Sequence, residues 1–171
     1  MNEVLKVIAE RRSCRQFKND PVPKEIIEQI CEAGAAAPTG MNRQECVIIA
    51  VTDKEVRDEL SKLNAAVFNM PNDPFYGANT VIVVLADKSS PTYLYDGTLV
   101  LGNMMIAAQA LGLGGTWIHR AKEEFDSEYG KELLKKLGVE GDYEGIGNLI
   151  LGYPDAEPAP KERTGNKVYY V

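Results

Sequence analysis

Residues 11–15 read Arg-Arg-Ser-Cys-Arg, so three guanidiniums and a hydroxyl crowd into five positions of a chain whose formal net charge is -6. A planar guanidinium donates in a fork that matches phosphate oxygens, which an ammonium does not. Further on, Pro38-Thr39-Gly40-Met41-Asn42-Arg43-Gln44 combines turn formers with two carboxamides and another arginine. A carboxamide places a donor beside an acceptor, which suits a ring edge of alternating C=O and N–H groups. An anion site together with a carboxamide site implies a phosphorylated heterocycle, and these residues alone leave its identity open.

The rest of the chain must position those groups. Asn2 to Glu10 reads as a short helix with Val4, Leu5 and Ile8 on one face, delivering the arginines at its C-terminal end. Cations there also suit the helix dipole, so a structural role for Arg11 or Arg12 stands beside the ligand role. Pro23 opens a second helix carrying Ile26, Ile27, Ile30 and Ala33. The small residues from Gly34 to Asn42 end it in a loop that a ligand can approach closely.

Cys46 to Val51 and Thr80 to Ala86 are continuous apolar runs and predict buried strands, with Asp53 capping a helix between them. Residues 69 to 79, with Pro71, Pro74 and Gly77, read as a loop. Tyr93 to Leu111 is a helix that is apolar nearly all round, which places it in a core or between subunits. Thr116 to Ile118 predicts a short strand, Ser127 caps a helix running to Leu137, and Ile146 to Leu151 is another strand. After the prolines of residues 154 to 160, Val168-Tyr169-Tyr170-Val171 predicts a strand added to a sheet edge, of this chain or of a partner.

With 171 residues and 44% hydrophobic content, one packed domain over residues 1–171 is expected. The acidic balance argues against nucleic acid as a partner. No apolar stretch is long enough for a membrane helix and no signal peptide is read, so a cytoplasmic location is expected. Cys14, Cys31 and Cys46 fit no metal or redox spacing and read as reduced thiols, Cys14 as a small inert filler. A single histidine, His119, excludes a His-rich metal site. It reads as an exposed or satisfied side chain, and Trp117 as a core residue before a stacking platform. No Gly-x-Gly-x-x-Gly or Walker loop is present. With so few acid–base groups, the hard chemistry is expected to belong to a bound cofactor.

The arginine–serine cluster, the Pro38–Gln44 loop, the segment Leu111-Gly-Leu-Gly-Gly-Thr-Trp-Ile118 and the late Lys161-Glu-Arg163 occur in one order. That order resembles the nitroreductase family of FMN-dependent oxidoreductases over nearly the whole chain. The resemblance implies an α+β three-layer sandwich, with a central, mainly antiparallel sheet flanked by helices. It also implies a homodimer whose tail, residues 154–171, exchanges onto the partner, and FMN bound at the interface.

By the same resemblance Arg11, Ser13, Lys161 and Arg163 hold the FMN phosphate, and Arg12 touches phosphate or ribityl. Arg15 reaches the pyrimidine edge and stabilises charge that develops on reduction. Asn42 and Gln44 bond the ring and ribityl chain. Pro38, Thr39 and Gly40 form a wall from the partner, and Trp117, Ile118 and the backbone near His119 line the side near ring N5. The implied reaction is a ping-pong transfer of two electrons from NADH or NADPH to a small electron-poor acceptor such as a nitroaromatic or quinone. Another reaction on the same fold, reductive dehalogenation or flavin breakdown, and a non-catalytic FMN-binding protein are the alternatives. Two departures stand out: Glu45-Cys46 occupies the place where the family often has Pro-Trp, and little room exists for an inserted lid between Val67 and Thr80.

Overall fold

The computed structural model describes all residues except Met1, Glu157, Lys161, Arg163 and Asn166. Six α-helices and four strands are named among the described residues: α1 (Glu3–Glu10), α2 (Lys24–Ala35), β1 (Cys46–Val51), α3 (Lys54–Ala66), β2 (Thr80–Asp87), α4 (Tyr93–Ala110), β3 (Gly114–Ile118), α5 (Ala121–Asp126), α6 (Glu128–Lys136) and β4 (Tyr143–Gly152). The strands form one antiparallel sheet in the order β1-β2-β4-β3. Helices cover both sides, so the architecture is the expected α+β three-layer sandwich.

Local chemistry sets the helix ends. Asn2 accepts from Val4 N at 2.9 Å, Asp53 from Val56 N at 2.9 Å, and the Ser127 hydroxyl from Gly130 N at 3.1 Å. Each satisfies a first-turn N–H that lacks a helical partner. Beyond the last turn of α4, Leu113 N returns to Ala108 O at 2.9 Å across Gly112, whose φ of 77° suits glycine.

Strand alternation divides the core. Ile82, Val84 and Ala86 face α2 and α4, together with Val100, Leu101 and Met104. Val81, Val83 and Leu85 face the other side, with Leu60, Ala121 and Phe125. The continuous apolar character of β2 follows, because both of its faces are covered.

Three features add to the sequence reading. The sequence reading passed over α5: six residues, Ala-Lys-Glu-Glu-Phe-Asp, are too few to show a helical stripe. The helix α4 is apolar all round but not buried all round, since Leu94, Tyr95 and Leu99 are exposed. The segment Val168–Val171 forms no strand within the chain, and Val168, Tyr169 and Tyr170 lie 72%, 80% and 93% exposed. The sheet edges within one chain are β1 and β3, and this segment pairs with neither.

Candidate functional site

The arginine cluster is laid against the edge strand β3. Cys14 N donates to Gly115 O at 3.1 Å, and the Thr116 hydroxyl donates to Cys14 O at 2.5 Å. Ser13 forms a parallel bridge with Gly115. This approach needs a small partner, because a Cβ on Gly114 would sit 2.6 Å from Cys14 Cβ. Cys14 is 1% exposed and gives its thiol hydrogen to Gln16 O at 3.2 Å, so its role here is close packing. The segment is tied again further on, through Lys18 N to Tyr153 O at 2.9 Å and Asp155 N to Gln16 O at 3.0 Å.

Extended backbone sends successive side chains to opposite sides. Ser13 and Arg15 are exposed and line a cavity of about 410 Å³ with Gln16, Tyr76, Ala156 and Pro158. Arg12 and Cys14 line a different cavity, of about 540 Å³, beside Glu10, Gln109 and Pro154. The Arg12 guanidinium donates to Ala9 O at 2.6 Å and Arg11 O at 2.9 Å, closing the C-terminal end of α1. Arg12 thus performs the helix-end role, on the side away from Ser13 and Arg15. Arg11 is half-buried at the cap of α1, its N–H bonded to Val7 O at 2.9 Å.

Tyr76, which the sequence reading did not single out, lines the same cavity as Ser13 and Arg15. Its ring lies 5.7 Å from the Arg15 guanidinium carbon, and its φ is 52°. The preceding turn is held by Asp73, which bonds the guanidinium of buried Arg57 and accepts from Ser61 Oγ at 2.5 Å, Phe75 N at 2.9 Å and Gly77 N at 2.7 Å. Burial pushes the Asp73 carboxyl up, but these donors outweigh it and bring its pKa down to about 2. Arg57 also donates to Ala78 O at 3.0 Å and lies over Phe75. An Asp-Pro-Phe-Tyr-Gly turn is the sequence signal for the bend, but nothing local ties it to Arg15.

The carboxamide loop rests at the start of α4. Gly40 N donates to Asp96 at 3.0 Å and the Thr92 hydroxyl to the same carboxylate at 2.6 Å. Burial pushes the Asp96 carboxyl up, and these donations outweigh it and hold it below the usual range. A Cβ on Gly40 would sit 2.2 Å from Thr92 Oγ1, so a larger residue would lift the loop away. Met41, Asn42 and Gln44 all have positive φ, 56°, 53° and 54°. Such backbone is costly for residues other than glycine and concentrates at functional sites. Gln44 donates its amide to Asn42 Oδ1 at 2.9 Å and its N–H to Thr39 Oγ1 at 3.0 Å, and both carboxamide side chains are exposed. Pro38 is exposed, while Thr39 and Gly40 are half-buried. Next to this loop, burial and then the charges of Glu45 and Asp96 push the Cys46 thiol up to about 12, so it stays protonated and inert.

The structure therefore brings Ser13, Arg15 and Tyr76 together, and Asn42 with Gln44, but does not bring the two groups together. Arg12 and Cys14, in the same segment as Ser13 and Arg15, share a cavity with Gln109 near the end of α4, whereas the carboxamide loop rests on Asp96 near its start, about 20 Å of helix away. Trp117, Ile118 and His119 end β3, so they share an edge with Ser13. Trp117 packs on Gly147 and the α4 side of the core, Ile118 on the other side, and His119 is exposed. Lys161 and Arg163 lie outside the described residues. Among the described residues no cluster of His, Cys, Asp and Glu is placed to hold a metal, and no helix is long and apolar enough to cross a membrane.

Comparison with known proteins agrees with the fold. The family model described as "Nitroreductase family" matches residues 8–74. A protein of Archaeoglobus fulgidus, provisionally named NADH dehydrogenase/NAD(P)H nitroreductase, is 32% identical over 92% of this chain and 88% of its own length. The NAD(P)H-type FMN reductase of Bacillus subtilis is 29% identical over 95% of this chain and 70% of its own. A crystal structure of a nitroreductase with bound FMN from Desulfitobacterium hafniense superposes with a TM-score of 0.89 and 33% identity, covering 100% of this chain and 99% of that one. A second, also with bound FMN, from Bacteroides fragilis, gives 0.87 at 26% identity over 100% of both chains.

Proposed function

Since the chain belongs to the nitroreductase family, we propose that it is an FMN-dependent oxidoreductase, passing two electrons from NADH or NADPH to a small electron-poor acceptor such as a nitroaromatic or a quinone. Bound FMN would supply the electron transfer, through N5 of its ring. The chain's own residues fit that cofactor. Ser13 and Arg15 offer exposed, charge-assisted donors on backbone fixed to β3, as a phosphate or an anionic ring edge requires. Asn42 and Gln44 offer the paired donors and acceptors of a flavin's pyrimidine edge on backbone already held out of its relaxed state. The segment Trp117–His119 at the end of β3 would border the ring, and Tyr76 lies over Arg15 in the cavity that Ser13 lines. Arg15 steadies negative charge that grows on the ring during reduction.

The separation of the two donor sets across α4 carries the rest of the reading. The carboxamide loop rests near the start of α4 and the arginine segment borders its far end, so the complete site takes its carboxamide loop from a second copy. The surface suits such pairing: Val4, Leu5 and Ile8 of α1 and Leu94, Tyr95 and Leu99 of α4 are exposed apolar side chains. The C-terminal aromatics Tyr169 and Tyr170 are equally uncovered and would close over the partner. Donor and acceptor use the one open site in turn, in ping-pong order, since the sequence holds no dinucleotide-binding motif of its own.

An absorption spectrum of the purified protein tests this reading, taken before and after anaerobic NADH or NADPH. Flavin bands that bleach, then return on adding a quinone or nitro compound, are expected. No flavin uptake from added FMN would overturn the assignment.

A further inference from the structure

Beneath the end of β3 lies a polar cluster inside an otherwise apolar core. Glu124 of α5 and Asn148 of β4 are each 0% exposed, and Asn64 of α3 is 4% exposed. Glu124 Oε1 accepts from Asn64 Nδ2 at 2.6 Å and from Asn148 Nδ2 at 2.8 Å. Asn64 Nδ2 also donates to the His119 carbonyl at 2.6 Å. Two atoms are left over, Glu124 Oε2 and Asn148 Oδ1, both buried and neither with a partner. Both are acceptors if Glu124 is a carboxylate, and two buried unsatisfied acceptors are expensive.

A single proton resolves both. On Glu124 Oε2 it replaces one unpaired acceptor with a donor, on a carboxyl whose other oxygen already bonds the Asn148 amide and beside which the Asn148 oxygen lacks a donor. The acid and the amide then exchange two hydrogen bonds in a ring, Asn148 Nδ2 to Glu124 Oε1 and Glu124 Oε2 to Asn148 Oδ1. The geometry points to Glu124 as a neutral acid that closes a cyclic pair with Asn148 and, through Asn64, fixes the His119 carbonyl; Glu124 is thus a positioning residue for the segment Trp117–His119. That last step rests on the reading of this segment as the flavin-facing wall. The backbone just after it needs holding: Arg120 has a φ of 80° and still opens α5. No catalytic contact is assigned to Glu124.

The electrostatics point the same way. Burial pushes the Glu124 carboxyl up to about 8, against the lowering by Asn64 and Asn148. The charged neighbours are engaged elsewhere. Arg120 pairs with Glu123 at 2.8 Å, and Lys122 with Asp126 at 2.6 Å and Glu144 of β4 at 3.8 Å. Arg57 of α3 pairs with Asp73 and Asp58, and burial holds Tyr129 of α6 above its usual value. Glu123 bears on Glu124 directly and opposes its ionisation.

Infrared spectroscopy of the FMN-free protein, titrated from pH 6 to pH 10, is the first arm of the test. The carbonyl stretch of a protonated carboxylic acid should be present at pH 7, disappear near pH 8 and be missing in Glu124→Gln. The second arm is FMN affinity by fluorescence quenching. Wild-type binding should weaken by up to about tenfold per pH unit above the Glu124 transition. Glu124→Gln keeps a donor for Asn148 Oδ1 without a titration, so it should bind as wild type does at pH 7 and lose the alkaline decline. Asn64→Leu should keep the infrared band yet weaken FMN binding, separating the clasp on His119 from the acid itself. Absence of the band, an unchanged alkaline decline in Glu124→Gln, or unaltered FMN affinity in folded Asn64→Leu would overturn the proposal. A wild type that takes up no FMN would instead sink the functional reading, and the band on the FMN-free protein would still decide the state of Glu124.

Discussion

The two faces of the sheet are built by different rules. Against α2 and α4 the packing is mostly apolar, with Ile27, Ile30, Ile82, Leu101, Met104 and Leu149 all 5% exposed or less, and its buried charge, Asp96, sits at the start of α4 beneath the carboxamide loop. On the opposite face the core also admits Arg57, Ser61, Asn64, Glu124 and Asn148, all buried. Each polar group there leads to a loop that borders the candidate site. Arg57 and Ser61 hold the Asp73 turn that presents Tyr76, while Glu124, Asn64 and Asn148 hold the end of β3. The comparison separates a face that supplies stability through volume from one that spends burial on position. Buried polar groups are tolerated only when hydrogen-bonded, so they fix geometry more sharply than apolar contacts do.

The largest expected effect falls on the positional face. Arg57→Ala removes a buried guanidinium that bonds Ala78 O and Asp73, whose carboxylate reaches the surface, and should lower unfolding free energy by about 3 kcal/mol, read by denaturant titration. It should also slacken the turn at Asp73 and loosen Tyr76 from Arg15. A loss no greater than that of an exposed ion pair would erase the contrast between the faces.

Next is the ligand side of the same loops. Arg15→Ala should weaken FMN binding by about 1.5–3 kcal/mol with the melting temperature of the cofactor-free protein unchanged. Isothermal titration and thermal melting read the two separately, and equal losses in both would move Arg15 from the site to the scaffold.

Acid behaviour distinguishes two carboxyls on this one face. Asp73, lowered to about 2, stabilises the fold fully above the unfolded carboxylate range, and that contribution is lost as pH falls through about 2. Glu124, raised to about 8, has the opposite sign: its contribution is complete below the unfolded carboxyl range and declines as pH rises toward 8. Stability against pH should therefore lose its acid limb in Asp73→Asn and its decline between about pH 4 and 8 in Glu124→Gln. Variants that leave both limbs as in wild type would refute the assignment.

The smallest effect belongs to the apolar face. Ile82→Val removes one methylene and should cost about 0.5–1.5 kcal/mol, with FMN affinity untouched. A marked loss of cofactor affinity there would mean that the apolar face also positions the site.

Legibility in the sequence follows the same division. Continuous apolar runs announced β1 and β2, and the caps at Asp53 and Ser127 announced α3 and α6, because strands and helix starts are local events. The cluster from Arg11 to Arg15 was visible for the same reason, its residues being neighbours in the chain. Tyr76 was not, since its approach to Arg15 depends on Arg57 and Asp73, which lie far apart in sequence. Asn64, Glu124 and Asn148 are ordinary polar residues that meet only in the folded chain, although the lone carboxamide in Ile146-Gly-Asn-Leu-Ile-Leu151 was a signal. Alternation along residues 12–15 would have separated Arg12 from Ser13 and Arg15 had the segment been recognised as extended. The apolar end at Val168–Val171 carries strand propensity, yet within one chain it joins neither edge of the sheet.

The central claim is that arginines of one copy and carboxamides of another complete each FMN site. Co-expression of two differently tagged chains, one carrying Arg15→Ala and the other Asn42→Ala together with Gln44→Ala, tests it most directly. Each variant expressed alone should bind FMN weakly at both of its sites. Purified hybrids should recover one tight site per dimer, because one of the two interfaces then joins an intact arginine segment to an intact carboxamide loop. Hybrids in which both sites remain weak, or a tagged mixture that never forms dimers, would contradict the account.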